Sequence, residues 1–214
     1  MDGVRPGMGY CGCSMQTRDR RQWFMPRLHA WLAPADEPRG ADLIFVLAGR
    51  VHRKEYALRL LRQGLSARIL FSVGRFEIRR FSKMALPVPL DLLKLAQELP
   101  PPQRHYFVFF LGQDVQVEHV FPDRFGTLTE IETLALWLGT HPDIRSVLVI
   151  SSDMHLRRIR MCCRSLLNSN VEVAYLAAPY SPPEPERRSA LASTMDAMLE
   201  LFKVTIYWAL LKIR

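Results

Sequence analysis

From Ala41 onward the chain alternates short apolar runs with stretches of helical periodicity. Asp42 to Leu47, Arg68 to Val73 and Arg145 to Ser151 are near-continuous apolar runs of strand length, as expected for strands buried on both faces of a parallel sheet. His105 to Leu111 reads as a further strand, Val115 to Val120 alternates like a half-buried one, and Val171 to Ala177 is a short strand. Between them Arg53 to Gln63, Asp91 to Leu99, Thr127 to Leu138, His155 to Leu167 and Ser189 to Ile213 carry apolar residues at helical spacing. Gly64 stands where a C-terminal cap belongs, and Pro100 to Pro102 stops the helix ahead of it. Arg75 to Pro89 is basic and irregular, and Pro179 to Pro185 reads as a loop.

Strands alternating with helices predict an α/β fold, a three-layer α/β/α Rossmann-like arrangement around a mostly parallel sheet. Ligands of such sheets sit outside the carboxyl ends of the strands, near the switch in strand order. The residues following strands are therefore the first candidates for a site: Gly49 and Arg50, Ser72 and Gly74, and Ser151 to His155.

The periodic region is expected to form one domain over residues 41–214. Residues 1–40 read as a tail with one short amphipathic helix, Gln22 to Leu32, holding Trp23, Phe24 and Trp31 and followed by Pro34, Pro38 and Gly40. At 49% hydrophobic residues the 214-residue chain has enough apolar side chain to offset its ordering entropy, which excludes a disordered class. Cys11, Cys13, Cys162 and Cys163 match no zinc or redox spacing, so no metal is expected and a reducing compartment is. The N-terminus lacks the apolar core of a signal peptide, and Val204 to Leu211 is too short to span a bilayer, so a cytoplasmic protein is expected.

Charge narrows the partners. The net charge is +8, and 24 of the 29 basic residues are arginine, whose planar fork matches carboxylate and phosphate oxygens. An anionic pocket, an anionic lipid or nucleic-acid surface, and plain solvated helix faces all accommodate that charge. Nucleic acid is disfavoured, because no recognition module accompanies the arginines and the aromatics mostly sit inside apolar strands.

The most informative segment is Ser151-Ser152-Asp153-Met154-His155-Leu156-Arg157-Arg158, where a buried strand runs into a helix. Either serine could cap that helix, whose first amides form an anion seat. His155 and Arg158 share a helix face, suited to proton transfer or phosphate contact; a plain capped helix with both facing solvent fits the pattern as well. Thr127 and Glu130 have capping-box spacing. Ser72 lacks the G-x-S-x-G elbow, and the turn at Gly49 has neither phosphate-loop nor dinucleotide glycines.

Taken together these motifs resemble the YdcF-like family, a domain of unknown function that includes SanA and ElyC. The resemblance covers Ala41 to the C-terminus. It rests on the strand Ala41 to Gly49 and on the helix end with Ala57, Leu61 and Gly64. It also rests on Ser72-Val73-Gly74, on Thr127 with Glu130, and on the terminal helix with Lys203, Tyr207 and Trp208. Its most specific part is Ile150, Ser151, Ser152, His155 and Arg158. The chain departs from the family at Ala48 and Val73, where glycines are usual, and at Ser151, where threonine is. The resemblance implies a polar pocket at the strand ends, S-adenosylmethionine as one ligand of the family, and links to cell-envelope metabolism, but no settled reaction.

The leading expectation is a protein binding a small anionic ligand, phosphorylated or nucleotide-like. Arg50 and Arg158 would hold the anion with His155. Gly49, Ser72, Gly74, Thr127, Ser151, Ser152 and Asp153 would line the site, and Glu130 would orient His155 or act as a base. The second reading is a peripheral membrane or interaction protein, on the strength of the Trp23–Trp31 segment and the apolar terminal helix.

Overall fold

The computed structural model describes residues 21–121, 126–179 and 190–213. Its elements are α1 (Arg21–Leu32), β1 (Leu43–Val46), α2 (Val51–Arg62), β2 (Arg68–Gly74), α3 (Ile78–Phe81), α4 (Leu92–Gln97), β3 (His105–Leu111), β4 (Asp114–His119), α5 (Gly126–Gly139), β5 (Ser146–Ser151), α6 (Leu156–Leu166), β6 (Glu172–Ala177) and α7 (Ala190–Ile213). The strands form one α/β mixed sheet in the order β4-β3-β2-β1-β5-β6, mostly parallel. β1 pairs in parallel with both β2 and β5, and β5 with β6, whereas β3 and β4 run antiparallel to their neighbours.

Side chains on successive strand positions point to opposite faces, and both faces are buried here. Phe45, Leu70 and Val149 on one face pack against Ile131, Trp137 and Ile159 from α5 and α6. Ile44, Phe71 and Leu148 on the other pack against Ala57, Leu60 and Phe81 from α2 and α3. That is why β1, β2 and β5 read as continuous apolar runs rather than alternating ones. β4 is an edge strand, and its alternation of exposed and half-buried positions matches its sequence pattern.

α1 lays Leu28 and Leu32 against Ala197 and Val204 of α7, and the guanidinium of Arg157 sits 4.3 Å from the Trp31 ring centroid. Expectations for residues 1–20, including Cys11 and Cys13, and for most of the loop after Pro179, fall outside the described residues, as do the side chains of Trp23 and Phe24. Among the described residues no helix is long and apolar enough to cross a membrane. Cys162 and Cys163 are buried free thiols, pushed up to about 12 by burial, and inert as nucleophiles.

Phe71 is fully buried, with ring centroids 5.4 Å from Phe81 and 6.0 Å from Phe110. Phe71→Ala is expected to cost about 3–5 kcal/mol in urea unfolding.

Candidate functional site

The chain leaves β1 towards β2 on one side and later returns to β5 on the other. The carboxyl ends of β1 and β5 therefore flank the switch in strand order, where a sheet of this kind opens a crevice. The turn after β1 is held there by side chains distant in sequence. The Ala48 amide donates to Glu130 Oε1 at 2.8 Å, and the Gly49 amide donates to Glu77 Oε1. Gly49 adopts φ +142°, which favours glycine, and a Cβ placed there would come within 2.6 Å of Arg53 Nη1 and displace that guanidinium. Arg53 donates from Nη1 to the Ala48 carbonyl at 2.7 Å and from Nε to Ser152 Oγ at 3.0 Å, bridging the ends of β1 and β5.

Behind that turn the charges are buried. Lys54 has no exposed surface and its ammonium pairs with Glu77. Burial pulls the Lys54 ammonium down and pushes the Glu77 carboxyl up, each opposed by the attraction of its partner. Glu130 accepts a hydrogen bond from the Ser72 hydroxyl, and Ser72 Oγ lies 2.6 Å from His105 Nε2. With the hydroxyl proton donated to Glu130, Nε2 must be the protonated ring nitrogen, so the chain of donation runs from His105 through Ser72 to Glu130. That polarity is the reverse of a serine nucleophile activated by histidine, and Ser72 is fully buried. Burial holds His105 below the usual imidazole range, and the nearby Glu130 charge opposes this without cancelling it.

A second cluster lies on the other side of the rim. Arg158 donates from Nε to Glu200 Oε1 at 2.7 Å and from Nη1 to Thr127 Oγ1 at 2.7 Å. His155 Nδ1 lies 3.1 Å from Glu200 Oε2, a contact that is an ion pair when the imidazole is protonated. Burial favours the neutral Glu200 carboxyl, but His155 and Arg158 outweigh it and hold its pKa at about 2. The same carboxylate raises Arg158 against its own burial.

The expected residues thus divide. Ser72, Glu130 and Gly49 belong to the first cluster; His155, Arg158 and Thr127 to the second; and Ser152, through Arg53, joins β5 to the first. The carboxylate beside His155 is Glu200 and not Glu130, because Glu130 is turned inward to the β1 turn and to β2. Thr127 lies inside α5 and receives Arg158, so it does not cap that helix. Neither serine caps α6 by its side chain: a 3-10 turn, Asp153–His155, intervenes, and Ser152 Oγ serves Arg53. Asp153 is exposed and accepts from the Met154 amide, Arg50 is exposed at the start of α2, and Gly74 would tolerate a Cβ at ordinary contact distance. Ser151 Oγ is buried at the end of β5 with no hydrogen-bond partner among the described residues.

Arg53, Lys54, Glu77, His105 and Glu200 were missed. Lys54 stands three and four residues before Ala57 and Leu58, and Glu200 three after Ala197 and four before Val204, so both occupy apolar helix faces. A charge on such a face is the readable signal. His105 reaches the rim because β3 is antiparallel, its first residue pairing with Gly74 at the end of β2.

Lys54→Met leaves Glu77 a buried carboxylate without its cation, and a loss of about 3–5 kcal/mol is expected in urea unfolding. Adding Glu77→Gln should recover part of it. Glu200 is depressed below its ordinary value of 4.5, so its contribution is complete above about pH 4.5 and is lost as pH falls towards 2. Acid titration followed by circular dichroism should show that loss, on the order of 3 kcal/mol, in the parent and not in Glu200→Gln.

No protein-family model, curated protein or solved structure matches the chain.

Proposed function

We propose that the chain is a YdcF-like protein with a three-layer, Rossmann-like α/β/α domain. It binds a small anionic ligand, phosphorylated or nucleotide-like, at the carboxyl ends of β1 and β5. S-adenosylmethionine, the ligand suggested by the family resemblance, is the first nucleotide-like compound to test. The observation that carries this reading is the bridge from Ala48 through Arg53 to Ser152; Ser151, the last residue of β5, adds a buried hydroxyl with no hydrogen-bond partner among the described residues. A buried hydroxyl without a partner calls for a ligand or water at that spot.

The reading also fixes where an anion can sit. Amides at the first turn of such sheets commonly face a phosphate. Here the Ala48 and Gly49 amides already serve Glu130 and Glu77, so a phosphate is excluded from them by hydrogen bonding and by charge. Its place is one step outward, between Arg50, the first amides of α2, Arg53 and Ser152. A carboxylate set behind that position suits ribose or sugar hydroxyls, the role of an acid in dinucleotide sites. Arg158 is spent on Glu200 and Thr127, which makes it a positioning residue for α7 in this reading.

A thermal-shift screen over nucleotides, sugar phosphates, inorganic phosphate and S-adenosylmethionine tests the proposal. At about 100 times Kd a binder adds about 2.7 kcal/mol of apparent stability. Arg50→Ala with Ser152→Ala should weaken that binder at least about tenfold, whereas Arg158→Lys should leave its affinity within about threefold. No stabilisation by any compound, or binding insensitive to the double variant, would discard the site.

A further inference from the structure

The outward face of α7 is apolar along its described length. Met195, Met198, Leu199 and Phe202 follow the spacing of one helix face, and Ile213 continues it at the end of the chain. Met195 is 65% exposed, Phe202 63% and Ile213 84%, whereas Ala197, Glu200, Val204 and Tyr207 on the opposite face are buried. At about 1.5 Å per residue the exposed face runs about 27 Å. An amphipathic helix that covers a domain presents polar residues to water; this one presents methionine, leucine, phenylalanine and isoleucine.

The surroundings of the face are basic. A groove of about 410 Å³ between α6 and α7 adjoins it, lined by Arg157, Arg160, Arg164, Lys212 and the half-exposed indole of Trp208, with no acidic lining residue. Arg160 within it is already paired, its Nη2 donating to Asp36 Oδ1 at 2.6 Å and Oδ2 at 2.7 Å, so the charge the groove offers a phosphate comes from Arg157, Arg164 and Lys212. Lys203 stands on the other flank, its ammonium 3.5 Å from Glu200 Oε2.

We propose that α7 lies in the interface of an anionic membrane. Met195, Leu199, Phe202 and Ile213 enter the acyl boundary, Trp208 sits at headgroup depth, and the α6–α7 groove takes a lipid phosphate. Charge selects this occupant. Two copies meeting through α7 would bring Lys203, Lys212 and the groove arginines against their own images, on chains of net charge +8 each. An anionic bilayer complements them, each basic residue near the surface adding to the attraction. Asp196, Glu200, Lys203 and Lys212 interrupt α7, and no helix among the described residues is long and apolar enough to cross a membrane, so the helix lies on the bilayer rather than through it. The inference needs no ligand at the strand ends, although Lys203 Nζ lies 3.5 Å from Glu200 Oε2 of the second cluster.

The test is flotation of the full chain with phosphatidylcholine vesicles, with and without phosphatidylglycerol, at low and raised salt, beside sedimentation velocity without lipid. The expected result is binding to the anionic vesicles alone, weakened by salt. Leu199→Ser with Phe202→Ser should lower the partition coefficient at least about tenfold, as should Arg164→Glu with Lys212→Glu, both with unchanged circular dichroism. The charge-reversed pair keeps the test decisive if the serine pair misfolds. Equal binding to neutral vesicles, parental binding by both variants, or no binding at all overturns the proposal. So does a parent dimer that the serine pair converts to monomer, since a second copy would then cover the face.

Discussion

The turn after the first strand is held by two carboxylates that the chain brings from elsewhere: Glu130 on the Ala48 amide and Glu77 on the Gly49 amide. Much of the central architecture depends on that arrangement. The backbone at Gly49 leaves room for Arg53, Arg53 ties the turn to β5, and Lys54 neutralises Glu77 beneath it. Buried charges of this kind are tolerated because each is matched by an opposite charge or by backbone amides. Their burial makes the β1–β5 rim a fixed surface. Loops that bind ligands usually stand on such supports.

The same arrangement constrains chemistry. Glu77 and Glu130 occupy amides that would otherwise face an anion, and the Ser72 hydroxyl donates a hydrogen bond to Glu130 while accepting one from His105. The cluster is therefore organised to hold and share protons internally rather than to launch a serine nucleophile. What reaches solvent at this rim is Arg50, with Ser152 half-buried beside the buried Arg53. The helix α7 serves two environments at once. Its inner face fixes Arg158 and His155 through Glu200, and its outer face is left apolar.

Much of the fold was legible in the sequence. The runs D-L-I-F-V-L and S-V-L-V-I-S could hardly be anything but strands buried on both faces, and helix stops such as Gly64 stand in plain view, whereas the caps read at Thr127 and at Ser151 or Ser152 are not made. The site was legible in part. Glu130, Ser72 and Ser152 stand at strand ends or helix starts, where the topology of an α/β sheet concentrates them. Their partners stand inside helices and strands: Lys54 in the first turn of α2, Glu200 in the middle of α7, His105 at the start of β3. A local pattern gives such residues no partner.

The sequence by itself determined most of the elements, though not α3 inside the stretch read as irregular, and the sheet-buried character of the central strands, because hydrophobic period and turn chemistry act over neighbours a few residues apart. The tertiary structure alone decided that β3 and β4 run antiparallel, that His155 faces Glu200 while Glu130 faces Ser72, and that Thr127 receives an arginine instead of capping a helix. Those outcomes depend on long-range pairing and on where each buried charge finds its counter-charge. That match is set across separations such as the 82 residues between Ala48 and Glu130, a distance no local pattern can encode.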